Sequence, residues 1–214
     1  MAIIDNNSGV PEDEFLREGL IDRLQQYIEA EPGAWHVRYN LAVALTHAGE
    51  LDLALEHFRQ VLQYAPKHME SLVNIGGIHL SRGEADQALR AFTTALSVWD
   101  VPLVRANLAV AYIQLGQMAE AERHLRQALE MDPRLPDALT NLGSVLLRQE
   151  RYEESAEFSR RAVESNADFA MAHNNLALAL LALDQEDEAR GHLAEAKRLG
   201  YPVHPELLAG LGLE

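Results

Sequence analysis

A pattern that returns every 33 or 34 residues constrains this chain more than any single motif. Five asparagines mark it: Asn40, Asn74, Asn107, Asn141 and Asn175, at steps of 34, 33, 34 and 34 residues. Four of them precede Leu and then Gly or Ala, and Asn74 precedes Ile75 and Gly76. A chain with this period is one small unit used repeatedly, and each unit buries its apolar face only against its neighbours. Packing alone does not ask for a polar amide at the same place in every unit. The row points to hydrogen-bonding groups along one surface, and hence to a binding groove.

Aligned on the asparagines, the units are 35–68, 69–101, 102–135, 136–169 and 170–203. Position 8 of each unit is small: Ala42, Gly76, Ala109, Gly143, Ala177. So is position 20: Ala54, Ala88, Ala121, Ser155, Ala189. Position 24 is Phe58, Phe92, Leu125, Ser159, Leu193. Two helices forming a hairpin need this arrangement, with small residues where the backbones approach and larger apolar ones filling the space around. Gly49, Gly83 and Gly116 at position 15 supply a left-handed turn after the first helix. Glu150 and Asp184 stand there in the last two units, so those turns are expected to be built differently. Pro66 and Pro133 at position 32 stop the second helix.

This pattern resembles the tetratricopeptide repeat family over residues 35–203. The resemblance implies an all-α fold: a right-handed α-solenoid of helix-turn-helix repeats with N- and C-terminal capping helices. Residues 12–34 are expected to form the N-terminal cap, with Leu20, Leu24 and Tyr27 in the register of a second helix. Residues 1–11 are expected to be flexible. Residues 204–214 should form a C-terminal capping helix and tail over the open face of the last unit.

Bulk composition narrows the function. The net charge of −15 disfavours nucleic acid and anionic lipid surfaces. The absence of cysteine removes disulfides, thiol catalysis and thiolate metal sites. No apolar run approaches the ~20 residues of a membrane span, and the first residues lack the pattern of a secretory signal. A cytoplasmic protein without membrane insertion is the expectation. No phosphate-binding glycine loop and no His-Glu-x-x-His motif occur. His36 and His47 lie about 16 Å apart along one helix, too far to share an ion. The pairs Glu120/His124 and Glu188/His192 read as surface pairs. No enzyme activity, metal or cofactor is expected.

In the resembled family, positions 2, 5, 6, 9, 12 and 13 of the first helix line a concave face where extended peptides bind. Here that stripe is nearly uncharged. Only Arg148 is basic, which argues against the family's carboxylate clamp. The candidate peptide-binding residues are the five asparagines with Tyr39, Val43, Leu80, Val110, Ile113, Leu147, Leu178 and Leu181. The amide row is similar to that of the O-linked N-acetylglucosamine transferase repeat superhelix, although nothing here resembles that enzyme's catalytic domain. A carboxamide matches the C=O and N–H of an extended backbone. Each such bond is worth ~1 kcal/mol net, so five give roughly 5, while ordering a peptide costs about 2–5 or more. The aliphatic residues must therefore carry the affinity. The sequence supports a protein or peptide partner, or self-assembly into a homo-oligomer through the groove or the terminal helices. It leaves open whether the asparagines meet a ligand or serve local hydrogen bonding.

Overall fold

Helix follows helix throughout the computed structural model, which describes residues 14–213, with side chains from residue 19 onward. The segment 1–11 and the first residues of the 12–34 cap fall outside the described residues. A lone helix α1 (Glu14–Ala30) comes first. Five hairpins follow: α2 (Trp35–His47) with α3 (Leu51–Tyr64), α4 (Met69–Ser81) with α5 (Ala85–Val98), α6 (Pro102–Gln114) with α7 (Met118–Met131), α8 (Pro136–Arg148) with α9 (Tyr152–Ser165), and α10 (Ala170–Ala182) with α11 (Glu186–Arg198). A short α12 (Pro205–Gly210) ends the series. The chain divides into two compact units, Met1–Asp100 with α1–α5 and Val101–Glu214 with α6–α12. No helix among the described residues is long and apolar enough to cross a membrane.

Tertiary packing holds these helices more than their caps do. Among the described N-caps only His68 uses its side chain, accepting the Ser71 N–H at 3.3 Å. Proline at the first position of α6, α8 and α12 helps instead, since its fixed φ suits a helix start. The turn within each hairpin is the same in all five. Gly49, Gly83 and Gly116 have φ of 82°, 72° and 72°, and Glu150 and Asp184 follow them at 60° and 59°. The bonding repeats as well: Glu50 N–H reaches Leu45 O at 2.9 Å, and Arg151 N–H reaches Leu146 O at 3.0 Å. The expected difference in the last two turns is therefore absent. The hydrogen-bond pattern imposes the left-handed conformation, and two side-chain-bearing residues accept its strain.

The second helices α3, α5, α7 and α9 end in non-helical C-caps, with or without proline, whereas α11 ends through Leu199 and the left-handed Gly200. Trp99, Asp132 and Asn166 are extended C-caps, and Ala65 leaves the helix at φ −129° and ψ 78°. Where proline is missing at position 32, other devices act. Pro102 keeps Val101 extended, and Asn166 Oδ1 accepts the Asp168 N–H at 3.0 Å.

Small residues set the helix spacing. A Cβ on Gly76 would lie 2.5 Å from the Phe92 ring, so position 8 is empty because position 24 is large. In α8 the same approach is polar: Ser155 Oγ donates to Gly143 O at 2.8 Å. Each unit has an end helix. Ile21, Leu24 and Ile28 of α1 pack with Leu41 and Leu45. Tyr27 departs from expectation at 46% exposed, because it sits one residue off the stripe running from Leu24 to Ile28. Leu207, Leu208 and Leu211 cover Ala177 and Leu193 at the other end.

Candidate functional site

The first helices carry the predicted binding stripe, and the two units present it differently. In the first unit α4 is buried at every residue from Ser71 to Leu80. Leu80 and Asn74 are each 3% exposed, and Val43 of α2 is also buried. Asn74 Nδ2 donates to Glu70 O at 2.8 Å, one turn back on its own helix. A buried amide needs such a partner. Asn40 is exposed and Tyr39 half-buried. Tyr39 belongs to an aromatic group that sequence reasoning missed. Its ring lies 4.9 Å from His68 and 5.8 Å from Phe58, and Trp35 lies 5.4 Å from His68. Trp35 stands at position 1 of one unit and His68 at position 34, both outside the aligned stripe. The signal was available in the chain: His68 caps the start of α4 as Trp35 opens α2, so the two stand at the same end of successive first helices. His68 is fixed by Ser71, its Nδ1 lying 3.0 Å from the Ser71 hydroxyl oxygen. Burial holds its pKa below the usual 6.5, and Glu70 opposes this in part.

The second unit is more open. Three first helices, α6, α8 and α10, stand side by side. Val110, Ile113, Leu147, Leu178 and Leu181 are all half-buried. Ile113 rests on the cluster containing Leu139 and Leu142. Leu147 and Leu181 rest on the cluster of Leu176 and Leu180. Asn107 and Asn175 are buried, and Asn141 is half-buried. Asn175 Nδ2 donates across to Thr140 O at 3.2 Å, tying α10 to α8. The amides of Asn74 and Asn175 thus serve the chain's own carbonyls.

Helical hairpins paired through small residues at positions 8 and 20, with a first-helix face of alternating amide and aliphatic groups, have counterparts among known proteins. Tetratricopeptide repeat profiles match residues 34–100 and 68–134, and again 106–168 and 141–200. The chain belongs to the tetratricopeptide repeat family. This repeat protein is similar to the CTR9 homolog of Arabidopsis thaliana, 30% identical over 115 residues, which are 53% of this chain and 10% of that relative. Among solved structures it resembles the Cut9–Hcn1 hetero-tetramer of the APC/C, with a TM-score of 0.79 at 19% identity over 92% of this chain and 39% of that one. It also resembles YrrB, described as a tetratricopeptide repeat protein with an unusual peptide-binding site, with a TM-score of 0.66 at 19% identity over 89% of this chain and 98% of that one. At these identities the structural likeness concerns the fold. Repeats of this family generally serve as protein-interaction scaffolds.

Away from the stripe, this tetratricopeptide chain concentrates its charged contacts on the second helices. Glu122 on α7 takes hydrogen bonds from Arg126 Nε and Arg151 Nη1, each at 2.8 Å. Glu154 on α9 accepts from Arg126 Nη2 at 2.9 Å and Arg151 Nε at 2.7 Å. Burial pushes the Glu122 carboxyl up, but its bonds to Arg126, Arg151 and Gln149 together pull it below the usual 4.5. Histidine chemistry is local. His124 is 5% exposed and stacked on Tyr112, rather than the surface partner the sequence suggested. His173 Nδ1 lies 3.0 Å from His192 Nδ1. Among the described residues no group of three or more His, Asp or Glu is placed to hold a metal ion.

Proposed function

We propose that this chain is a non-catalytic adaptor that holds an extended peptide or a helix of a partner protein against the first-helix face of its second unit. The observation that carries this reading is the half-buried aliphatic row Val110, Ile113, Leu147, Leu178 and Leu181 on three adjacent helices. Side chains already half in the core are held in place, so covering their outer halves costs little ordering. Each adds about 1 kcal/mol when covered, roughly half the value of a full burial. With at least the Asn74 and Asn175 amides engaged internally, the hydrogen-bond contribution falls below the five-bond estimate. Asn141 in the second unit and Asn40 in the first are the more exposed ones. The peptide-binding description of YrrB supports the ligand class. A cytoplasmic location is part of the same proposal.

Peptides selected from a phage-displayed random library against the full chain test it by isothermal titration calorimetry. Val110→Asp combined with Leu178→Asp should weaken the selected peptides at least thirtyfold with an unchanged circular dichroism melt. Unchanged affinity would sink the groove assignment. A second reading, self-assembly, is favoured by Tyr64 and Trp99, 54% and 55% exposed at the ends of α3 and α5. A monomer by light scattering at tens of micromolar would exclude it.

A further inference from the structure

On the second helices, the junction between the first two repeats lacks an ion pair that two junctions of the second unit make. In the second unit, arginine at position 25 of a repeat meets glutamate at position 19 of the next. Arg126 reaches Glu154 at 2.9 Å and Arg160 reaches Glu188 at 3.0 Å. The first unit keeps the arginine, as Arg59, but has Gln87 at position 19. It also has Leu55 at position 21, where Glu122 stands in the second unit. Instead of a network there is a cleft of about 600 Å³ between α3, α4 and α5, floored by Leu55, Leu62, Ile75 and Ala91. Its other charges are matched: Arg82 Nη1 bonds Asp52 at 2.8 Å, and Glu84 lies 2.5 Å from His79. Among the described residues, the guanidinium groups of Arg59 and Arg90, both lining the cleft and both exposed, have no acidic or hydrogen-bonding partner.

We propose that this cleft is a second docking site, distinct from the first-helix face, for a partner segment presenting a carboxylate beside aliphatic side chains. The carboxylate takes the place of the missing Glu at position 19 and accepts from Arg59, with Arg90 on the rim. The flanking aliphatic groups lie on the Leu62 and Ala91 floor. The charge match is specific. In a chain of net charge −15, two unanswered guanidinium groups over an apolar floor select an acidic partner against the overall field. A neutral or basic segment gains only the floor.

The test is a titration of the ¹⁵N-labelled full chain, followed by NMR, with an acetylated and amidated Ser-Leu-Glu-Leu-Ser-Gly peptide. Its Ser-Leu-Gln-Leu-Ser-Gly counterpart is the control. The acidic peptide should shift the Arg59 Nε–H and the backbone amides of residues 55–62 and 87–94 saturably, and the glutamine peptide should bind about tenfold more weakly. Gln87→Glu, which supplies the internal carboxylate, should weaken the acidic peptide about tenfold, and Arg59→Gln should do the same, with both variants melting as the parent does. Equal binding of the two peptides would overturn the proposal, as would the absence of saturable shifts in the cleft or shifts confined to the first helices. So would a result in which deleting residues 1–11 moves the same amides without peptide, since the occupant would then be the chain itself.

Discussion

The two units apply one repeat pattern with different side chains, and the differences fall where packing leaves a choice. At the contact between positions 8 and 24, the first unit sets Gly76 against Phe92, while the second sets Gly143 against Ser159. Between second helices, the second unit fills the junction with Glu122, Arg126, Arg151 and Glu154, and the first leaves a cleft. At the hairpin turns, the first unit has Gly49 and Gly83, and the second has Gly116 followed by Glu150 and Asp184. The backbone is common to all of these. What varies is whether a site is sealed by an aromatic ring, sealed by ions, or left open. Sealed sites report on stability, and open ones are where another molecule gains by entering.

The largest effect should come from the glycine contacts. Gly76→Ala places a methyl 2.5 Å from the rigid Phe92 ring, which is wedged at 0% exposure and has nowhere to turn. Overpacking of this kind costs about 2 kcal/mol. Gly143→Ala crowds the hydroxyl of Ser159, which has no bonding partner and can rotate, and meets Ser155 O and Ser159 Cβ at an ordinary 3.6 Å. There the ~1 kcal/mol gain in helix propensity offsets the crowding, so the change should be close to neutral. Both tryptophans, Trp35 and Trp99, belong to the first unit. Tryptophan fluorescence during urea unfolding therefore reports that unit, while circular dichroism reports both. Equal destabilisation by the two alanines would break the comparison.

The ionic junction comes next. Glu122→Gln leaves Arg126 and Arg151 with weaker acceptors and should cost about 1 kcal/mol, the exposure of the arginines having screened part of the interaction. It should also change the response to acid. The Glu122 and Glu154 carboxyls titrate below their usual 4.5 in the folded chain, Glu154 through its bonds to Arg151 and Arg126. Their stabilisation is complete above that value and is lost as pH falls through the lowered folded pKa. Melting by circular dichroism should fall more steeply below pH 4.5 in the parent than in Glu122→Gln. An unchanged acid slope would show that the network contributes nothing.

The fold was legible because its signals repeat. Small residues at positions 8 and 20 recur five times, so a substitution in one unit did not obscure the period. The turns were read only in part: Gly49, Gly83 and Gly116 announce the left-handed residue, but Glu150 and Asp184 adopt it because their neighbours' hydrogen bonds require it. The candidate site was harder to read. Register places Asn74 and Asn175 on the first-helix stripe, yet it does not tell how tightly neighbouring helices close over each position. The absent carboxylate beside Arg59 was legible in principle. Comparing position 25 of one unit with position 19 of the next finds it, but that relation joins two repeats and is invisible when each is read alone.

The smallest effect separates the turns. Glu150 holds φ at 60°, a conformation that costs a residue with a side chain about 1–2 kcal/mol and glycine almost nothing. Glycine also loosens the unfolded chain, which takes back about 0.4–1 kcal/mol. Glu150→Gly should therefore stabilise the second unit by roughly 0.5 kcal/mol, seen by circular dichroism in urea and absent from tryptophan fluorescence. Gly83→Glu in the first unit is the mirror experiment, and it should destabilise by a similar amount in the fluorescence signal. If both substitutions destabilise, the Glu150 side chain has a role at its turn beyond tolerating the backbone. The bonding common to the five turns would then not be enough to account for the residue found there.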